Sequence, residues 1–107
     1  MKSSREERVA RNEALFQEVN RQIEKLEEKL GHPKTLAILC ECGKKHCLDG
    51  FEVEPAVYQR VRSSPLLFFV APGHEDEKVE RVVERTGQFS VVEKVGRAAE
   101  VVREQAQ

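Results

Sequence analysis

The sequence is short of almost everything that would announce an activity. It contains no GxSxG nucleophile elbow, no P-loop and no dinucleotide fingerprint, and the HxE with PCxxC signature of the zinc deaminases is missing. Charge of one sign is missing too. Against 19 Asp plus Glu stand 18 Lys plus Arg, which leaves no field to hold nucleic acid or an anionic membrane non-specifically. No apolar run approaches the roughly 18 residues of a membrane span, and the opening stretch MKSSREERVARNEALF lacks the apolar core of a signal peptide. Nucleic acid is therefore disfavoured as a partner, no membrane association is expected, and the expected location is the cytoplasm. Cysteine is scarce as well. The three present cannot pair off internally, and in a reducing compartment they read as metal ligands or free thiols.

What is present begins with a helix. Ser3 and Ser4 each stand three residues before a glutamate, Glu6 and Glu7, in the capping-box arrangement. Lys29, Gly31 and Pro33 mark the other end, so the spacing predicts one helix over residues 4–30. Within it Val9, Phe16, Ile23 and Leu30 recur every seven residues, and Asn12, Val19 and Leu26 fill the second position of the same heptads. Such a stripe either docks on the protein's own sheet or pairs with a helix from another chain, where a buried Asn12 would help set register.

After the break, residues 35–39 form a short apolar strand ending at Cys40, and Leu48, Phe51 and Val53 resume an extended pattern. Pro55 fits the first position of a helix with Val57, Tyr58 and Val61 on one side. LLFFVA, residues 66–71, reads as a central strand, closed by the turn at Pro72 and Gly73. Val79, Val82 and Val83 have helical spacing, with acids before them and Thr86 and Gly87 after, and predict a helix despite their β-branching. Residues 89–95 are expected as another strand and 97–104 as a short final helix. The expected class is α+β: a long N-terminal amphipathic helix over residues 1–31, then a zinc-stabilised unit over 32–107 that layers helices on a small mixed sheet. A globular part of that size gains from a metal staple or an oligomer interface.

The chemistry is concentrated in one string, CECGKKHC. Cys40, Cys42 and Cys47 place three soft ligands within eight residues, and zinc binds thiolates tetrahedrally. Residues one apart on a strand point to opposite faces, so shared coordination requires a turn, which Gly43 permits. Three ligands do not close a tetrahedron. His74 is the favoured fourth because it follows the turn after the most apolar strand, with His46 and His32 as alternatives. Three thiolates blunt the Lewis acidity of a metal, so catalysis is not expected. In a hydrolytic variant Glu75 would be the general base.

Two resemblances attach to these residues. CECGKKHCLDG resembles the post-SET zinc knuckle, CxCGxxxC, which implies zinc ligation by Cys40, Cys42 and Cys47, while the SET domain itself has no counterpart in the chain. The combination of NEALFQEVNRQI, CECGKKHC, a tyrosine helix and PGHE followed by VERVVER is similar to a family of small uncharacterised bacterial proteins, which implies a recurrent unit and no particular activity. The expected function is a zinc-binding, non-enzymatic interaction or regulatory protein whose partner, a second copy or another protein, docks on Val9, Phe16, Val19, Ile23, Leu26 and Leu30. A redox- or zinc-responsive switch and a zinc-dependent hydrolase are the alternatives.

Overall fold

The computed structural model describes residues 5–31 and 33–105, and the side chains of all of these except 5–7 and 105. The fold is α+β. In chain order the elements are α1 (Arg5–Leu30), β1 (Leu36–Leu39), β2 (Gly50–Val53), α2 (Pro55–Arg62), β3 (Leu67–Val70), β4 (Glu80–Arg85), β5 (Ser90–Lys94) and α3 (Gly96–Gln105). The capping serines, Ser3 and Ser4, lie outside the described residues. No helix among the described residues is long and apolar enough to cross a membrane.

Two corrections to the sequence reading concern the sheet. It is not one mixed sheet: β1 and β2 form an antiparallel pair, and β3, β5 and β4 form an antiparallel three-stranded sheet in that order. The segment around Val82 and Val83 is a strand, not a helix. Thr86 accepts the backbone N–H groups of Gln88 (3.1 Å) and Phe89 (3.0 Å) on its hydroxyl, and its own N–H donates to the Phe89 carbonyl at 2.8 Å. That turn folds β4 back on β5, and the β-branched valines suit the extended chain it creates. A bulge at Val83 shifts the pairing with β5, but burial still alternates along the strand. Val83 is an apolar residue on the exposed face, and its place beside Val82 and Val79 is why the valine spacing mimics a helix.

Both faces of the β3–β5 pair are covered, as the uninterrupted apolar run of β3 requires. On one side Phe69 and Val91 join Leu36, Ile38, Val53, Tyr58, Val61 and Phe89 in a core under α2. On the other, Phe68, Val70 and Val92 pack with Cys40, Cys42 and Val102.

Helix α1 packs on β1 and α3. The residues it buries are Ala10, Glu13, Gln17 and Asn20, a line next to the heptad stripe and mostly polar. Of the stripe itself, Val9, Phe16, Val19 and Ile23 are half-buried, whereas Asn12, Leu26 and Leu30 are exposed. The polar line has a reason. Asn20 donates to the Leu39 carbonyl and accepts the Leu39 N–H, both at 2.9 Å, so its amide stands in for a neighbouring strand. Gln17 reaches the Leu67 carbonyl at 3.4 Å.

Candidate metal centre

The ligand cluster sits at the seam between the two sheets. Past Leu39 the chain runs beside β3, where the Glu41 N–H donates to the Phe69 carbonyl at 2.7 Å. Alternation then sends Cys40 and Cys42 to one side and Glu41 to the other. Glu41 is fully buried, and its carboxylate accepts the Phe69 N–H (3.0 Å), the Asn20 amide (2.7 Å) and the Arg62 guanidinium. Burial pushes its carboxyl up, and Arg62, Asn20 and the Phe69 N–H work against that rise. One glutamate thereby ties β3, α1 and α2 together behind the cysteines.

In front of the seam the chain turns back on itself. Gly43 has φ +72°, and a Cβ there would lie 2.7 Å from both the Glu13 Cγ and the Val9 carbonyl oxygen. Glycine is thus required twice, by the left-handed backbone and by the close approach of α1. Asn12 closes that approach by donating to the Gly43 carbonyl at 3.3 Å. A turn from Lys44 to Cys47 (N–H to carbonyl, 3.2 Å) brings the third sulfur round, with His46 in the left-handed region at φ 66°.

His74 arrives from the turn after β3, where its N–H bonds the Ala71 carbonyl at 3.0 Å. Its Nδ1 lies 3.6 Å from the Cys40 sulfur and 3.5 Å from the Cys47 sulfur. The four candidate ligand atoms of Cys40, Cys42, Cys47 and His74 all lie within 4.8 Å of one another, and these four residues could hold a metal ion. Zinc–sulfur bonds of about 2.3 Å and zinc–nitrogen bonds of about 2.0 to 2.1 Å, opened at tetrahedral angles, separate sulfur from nitrogen by about 3.6 Å and sulfur from sulfur by about 3.8 Å. The two sulfur–nitrogen distances match that edge. The widest pair needs to draw in by up to about 1 Å.

The surroundings suit the same ligand set. The Asp49 carboxylate lies 3.3 Å from His74 Nε2, the placement that keeps a proton on Nε2 and turns the Nδ1 lone pair toward the sulfurs. Cys40 is buried and accepts the Ala71 N–H at 3.1 Å. Among the sulfurs, thiolate character falls on Cys42, pulled down to about 4 first by a hydrogen bond from the Cys40 thiol and then by the Lys44 N–H and His74, against its burial. The same bond, together with burial, pushes Cys40 up, and burial raises Cys47.

The structure does not bring His46 into this group; its side chain is exposed on the turn. His32 lies outside the described residues. Glu75, the conceivable general base, is held by Arg85 at 3.0 Å. Sequence reasoning missed Asp49, Glu41 and Asn20. A weak signal existed for Asp49 in the LDG that follows Cys47, whereas a buried Glu41 between two cysteines looks no different in sequence from a solvated one.

No protein-family model, no curated protein and no solved structure matches the chain.

Proposed function

We propose that this chain is a zinc-binding, non-enzymatic interaction or regulatory protein of the cytoplasm, in which zinc fastens the β1–β2 knuckle to the turn after β3. One observation carries the reading: three sulfurs and an imidazole nitrogen from separate segments converge with sulfur–nitrogen spacings of 3.5 and 3.6 Å. Three thiolates and an imidazole are the donors that favour zinc, and four protein ligands leave no position for a reacting water. The likeness to the post-SET knuckle points the same way. Protein purified without added metal should contain one zinc per chain, and chelation should lower its melting temperature. Absence of stoichiometric zinc would sink the reading.

The interaction half rests on α1. Its heptad stripe is covered along one flank, and Leu26 and Leu30 are left 57% and 75% exposed. A second copy of the chain is the occupant this spacing suits, since two such stripes interlock as a coiled coil. Self-association in sedimentation experiments, weakened by Leu26→Glu, is the expected result. A strictly monomeric chain at high concentration would transfer the surface to a different protein partner.

One observation favours a second reading, a redox- or zinc-responsive switch. Cys40 and Cys42 are buried, but Cys47 is half-exposed beside the exposed turn of Lys44, Lys45 and His46. Hydrogen peroxide would take two electrons from a pair of thiolates and two protons from solvent, forming a disulfide and two waters and freeing the metal. Zinc release at low peroxide, reversed by a thiol reductant, is the expected signature; zinc retained while peroxide is consumed would exclude it.

A further inference from the structure

A cavity of about 490 Å³ opens between the N-terminal half of α1, the helix α3 and the chain entering β4, and it owes nothing to the metal reading. Its sides are the alkyl groups of Val9, Ala10, Val79, Ala98 and Val101. Its floor is Glu13 and Lys94, both buried, and its rim is Asp76 and Lys78, both exposed. A concave apolar site with a few convergent polar groups is where proteins hold small ligands.

Charge decides which ligand. Lys94 lies between Glu13 and Glu80, paired with each and set 5.1 Å above the Phe68 ring. Glu80 uses both carboxylate oxygens, Oε1 on Lys94 and Oε2 on the Asp76 N–H at 2.9 Å. Glu13, which lines the cavity, uses Oε2 on Lys94. The cavity and its floor therefore carry three carboxylates, Glu13, Glu80 and Asp76, against two ammonium groups, Lys78 and Lys94. Two buried carboxylates sharing one ammonium leave an excess of negative charge beneath the apolar walls, and that favours a cationic donor above a neutral or anionic one. A bare metal ion fits poorly, because Lys94 already separates the two buried carboxylates and the walls are alkyl. Glu13 is also held in place, since its Cγ is wedged against Gly43 of the knuckle.

We propose that this cavity binds an alkylammonium group, of a free amine or of a lysine side chain, with the ammonium on Glu13 and the alkyl stem between Val79, Ala98 and Val101. The ligand adds one more cation to an alternating row of Glu80, Lys94 and Glu13.

The test is an NMR titration of the full zinc-loaded chain at about pH 8, where free carboxylates are ionised. The probes are n-butylamine, a doubly blocked lysine, and n-butanol and butyrate as neutral and anionic controls of the same length. Saturable shifts at Val79, Ala98 and Val101 are expected with at least one amine, about tenfold or more tighter than with either control. Glu13→Gln, which keeps size and an acceptor for Lys94, should weaken the amine by about tenfold or more. Ala98→Leu, which fills the cavity without touching a charge, should abolish the shifts even if the Gln variant folds poorly. Saturation by butylamine alone would identify a free amine, and tighter binding of the blocked lysine a protein side chain. Equal binding of amine and butanol, no binding of either amine, or amine binding undiminished by Ala98→Leu would overturn the proposal.

Discussion

The two halves of α1 present the same heptad spacing to very different surroundings. From Val9 to Asn20 the helix is tied to the body by polar groups: Asn12 to the Gly43 carbonyl, Glu13 to Lys94, Gln17 to the Leu67 carbonyl, and Asn20 to both backbone groups of Leu39. Beyond Asn20, the side-chain hydrogen bond to another element among the described residues is an exposed one, Gln59 to Glu24 at 3.4 Å, and Leu26 and Leu30 face outward. The docked line is polar because what it meets is polar: strand edges with unpaired carbonyls and N–H groups, and a buried lysine. Apolar spacing therefore marks the face the fold leaves partly uncovered, while the face it uses is chosen by hydrogen-bonding need.

Removing the metal should produce the largest break in this contrast. The first half of α1 rests on Gly43, which the knuckle holds in place, and among the described residues no hydrogen bond or ion pair joins residues 21–30 to the knuckle. Chelation or Cys42→Ser is expected to cost several kcal/mol and to lower Tm by more than about 10 °C. Hydrogen exchange should quicken in the knuckle and in residues 9–20 before residues 23–30 change. Uniform loss of protection along α1 would mean that the two halves are not separately anchored.

A smaller effect is expected from pH. Burial raises the Glu13 carboxyl to about 7 from 4.5, with Lys94 opposing the rise. Lys94 is itself raised: burial works against its charge, but Glu13 and Glu80 more than offset it. The folded chain thus keeps a proton on Glu13, between pH 4.5 and about 7, that the unfolded chain has released. The stability this group contributes is fully present below about pH 4.5 and is lost as pH rises through about 7, by on the order of 3 kcal/mol. Urea midpoints measured from about pH 5 to 8 should fall more for the wild type than for Glu13→Gln. Parallel curves would show that Glu13 ionises as readily folded as unfolded.

Asn20→Ala comes next. It strips partners from the Leu39 N–H and carbonyl and from buried Glu41, at a cost of about 2 to 3 kcal/mol. Gln22, whose bond to Glu18 at 2.9 Å is exposed, is the control on the same helix, and Gln22→Ala should stay within about 0.5 kcal/mol. Similar losses in the two variants would erase the distinction between docked and solvent faces.

How much of this was legible follows from where each signal lives. Helices α1 and α2 and the strands β1 and β3 carry local marks: Gly31 with φ +149° beyond Leu30, Pro55 opening α2, and the apolar runs of Leu36–Leu39 and Leu67–Val70. The edge strand β4 does not, because the exposed Val83 beside Val82 hides the alternation and its turn depends on the Thr86 hydroxyl. Strand pairing is a property of the assembled chain, so the division into two antiparallel sheets was beyond local pattern. At the site, the spacing of Cys40, Cys42 and Cys47 with Gly43 names ligands directly. Glu13, Asn20, Glu41 and Lys94 are ordinary polar letters until tertiary structure buries them, and Asp49 gains a role only once His74 is beside it.

The smallest effect on the folded chain belongs to the uncovered end of the stripe, and it separates the two halves most cleanly. Phe16 and Ile23 are half-buried, so charging either disturbs the fold as well as any helix pairing. Leu26 is 57% exposed and belongs to the same heptads, so Leu26→Glu should change the stability of the single chain by no more than about 0.5 kcal/mol. Placed at the centre of a helix pair, however, the new carboxylate would be buried opposite its own copy and would disrupt the seam. The expected outcome is an unchanged urea midpoint at low protein concentration, together with loss of the concentration-dependent mass expected of the wild type in sedimentation equilibrium. A midpoint shifted by several kcal/mol would show instead that Leu26 is covered by its own chain in solution, and the stripe would then be a second docked face.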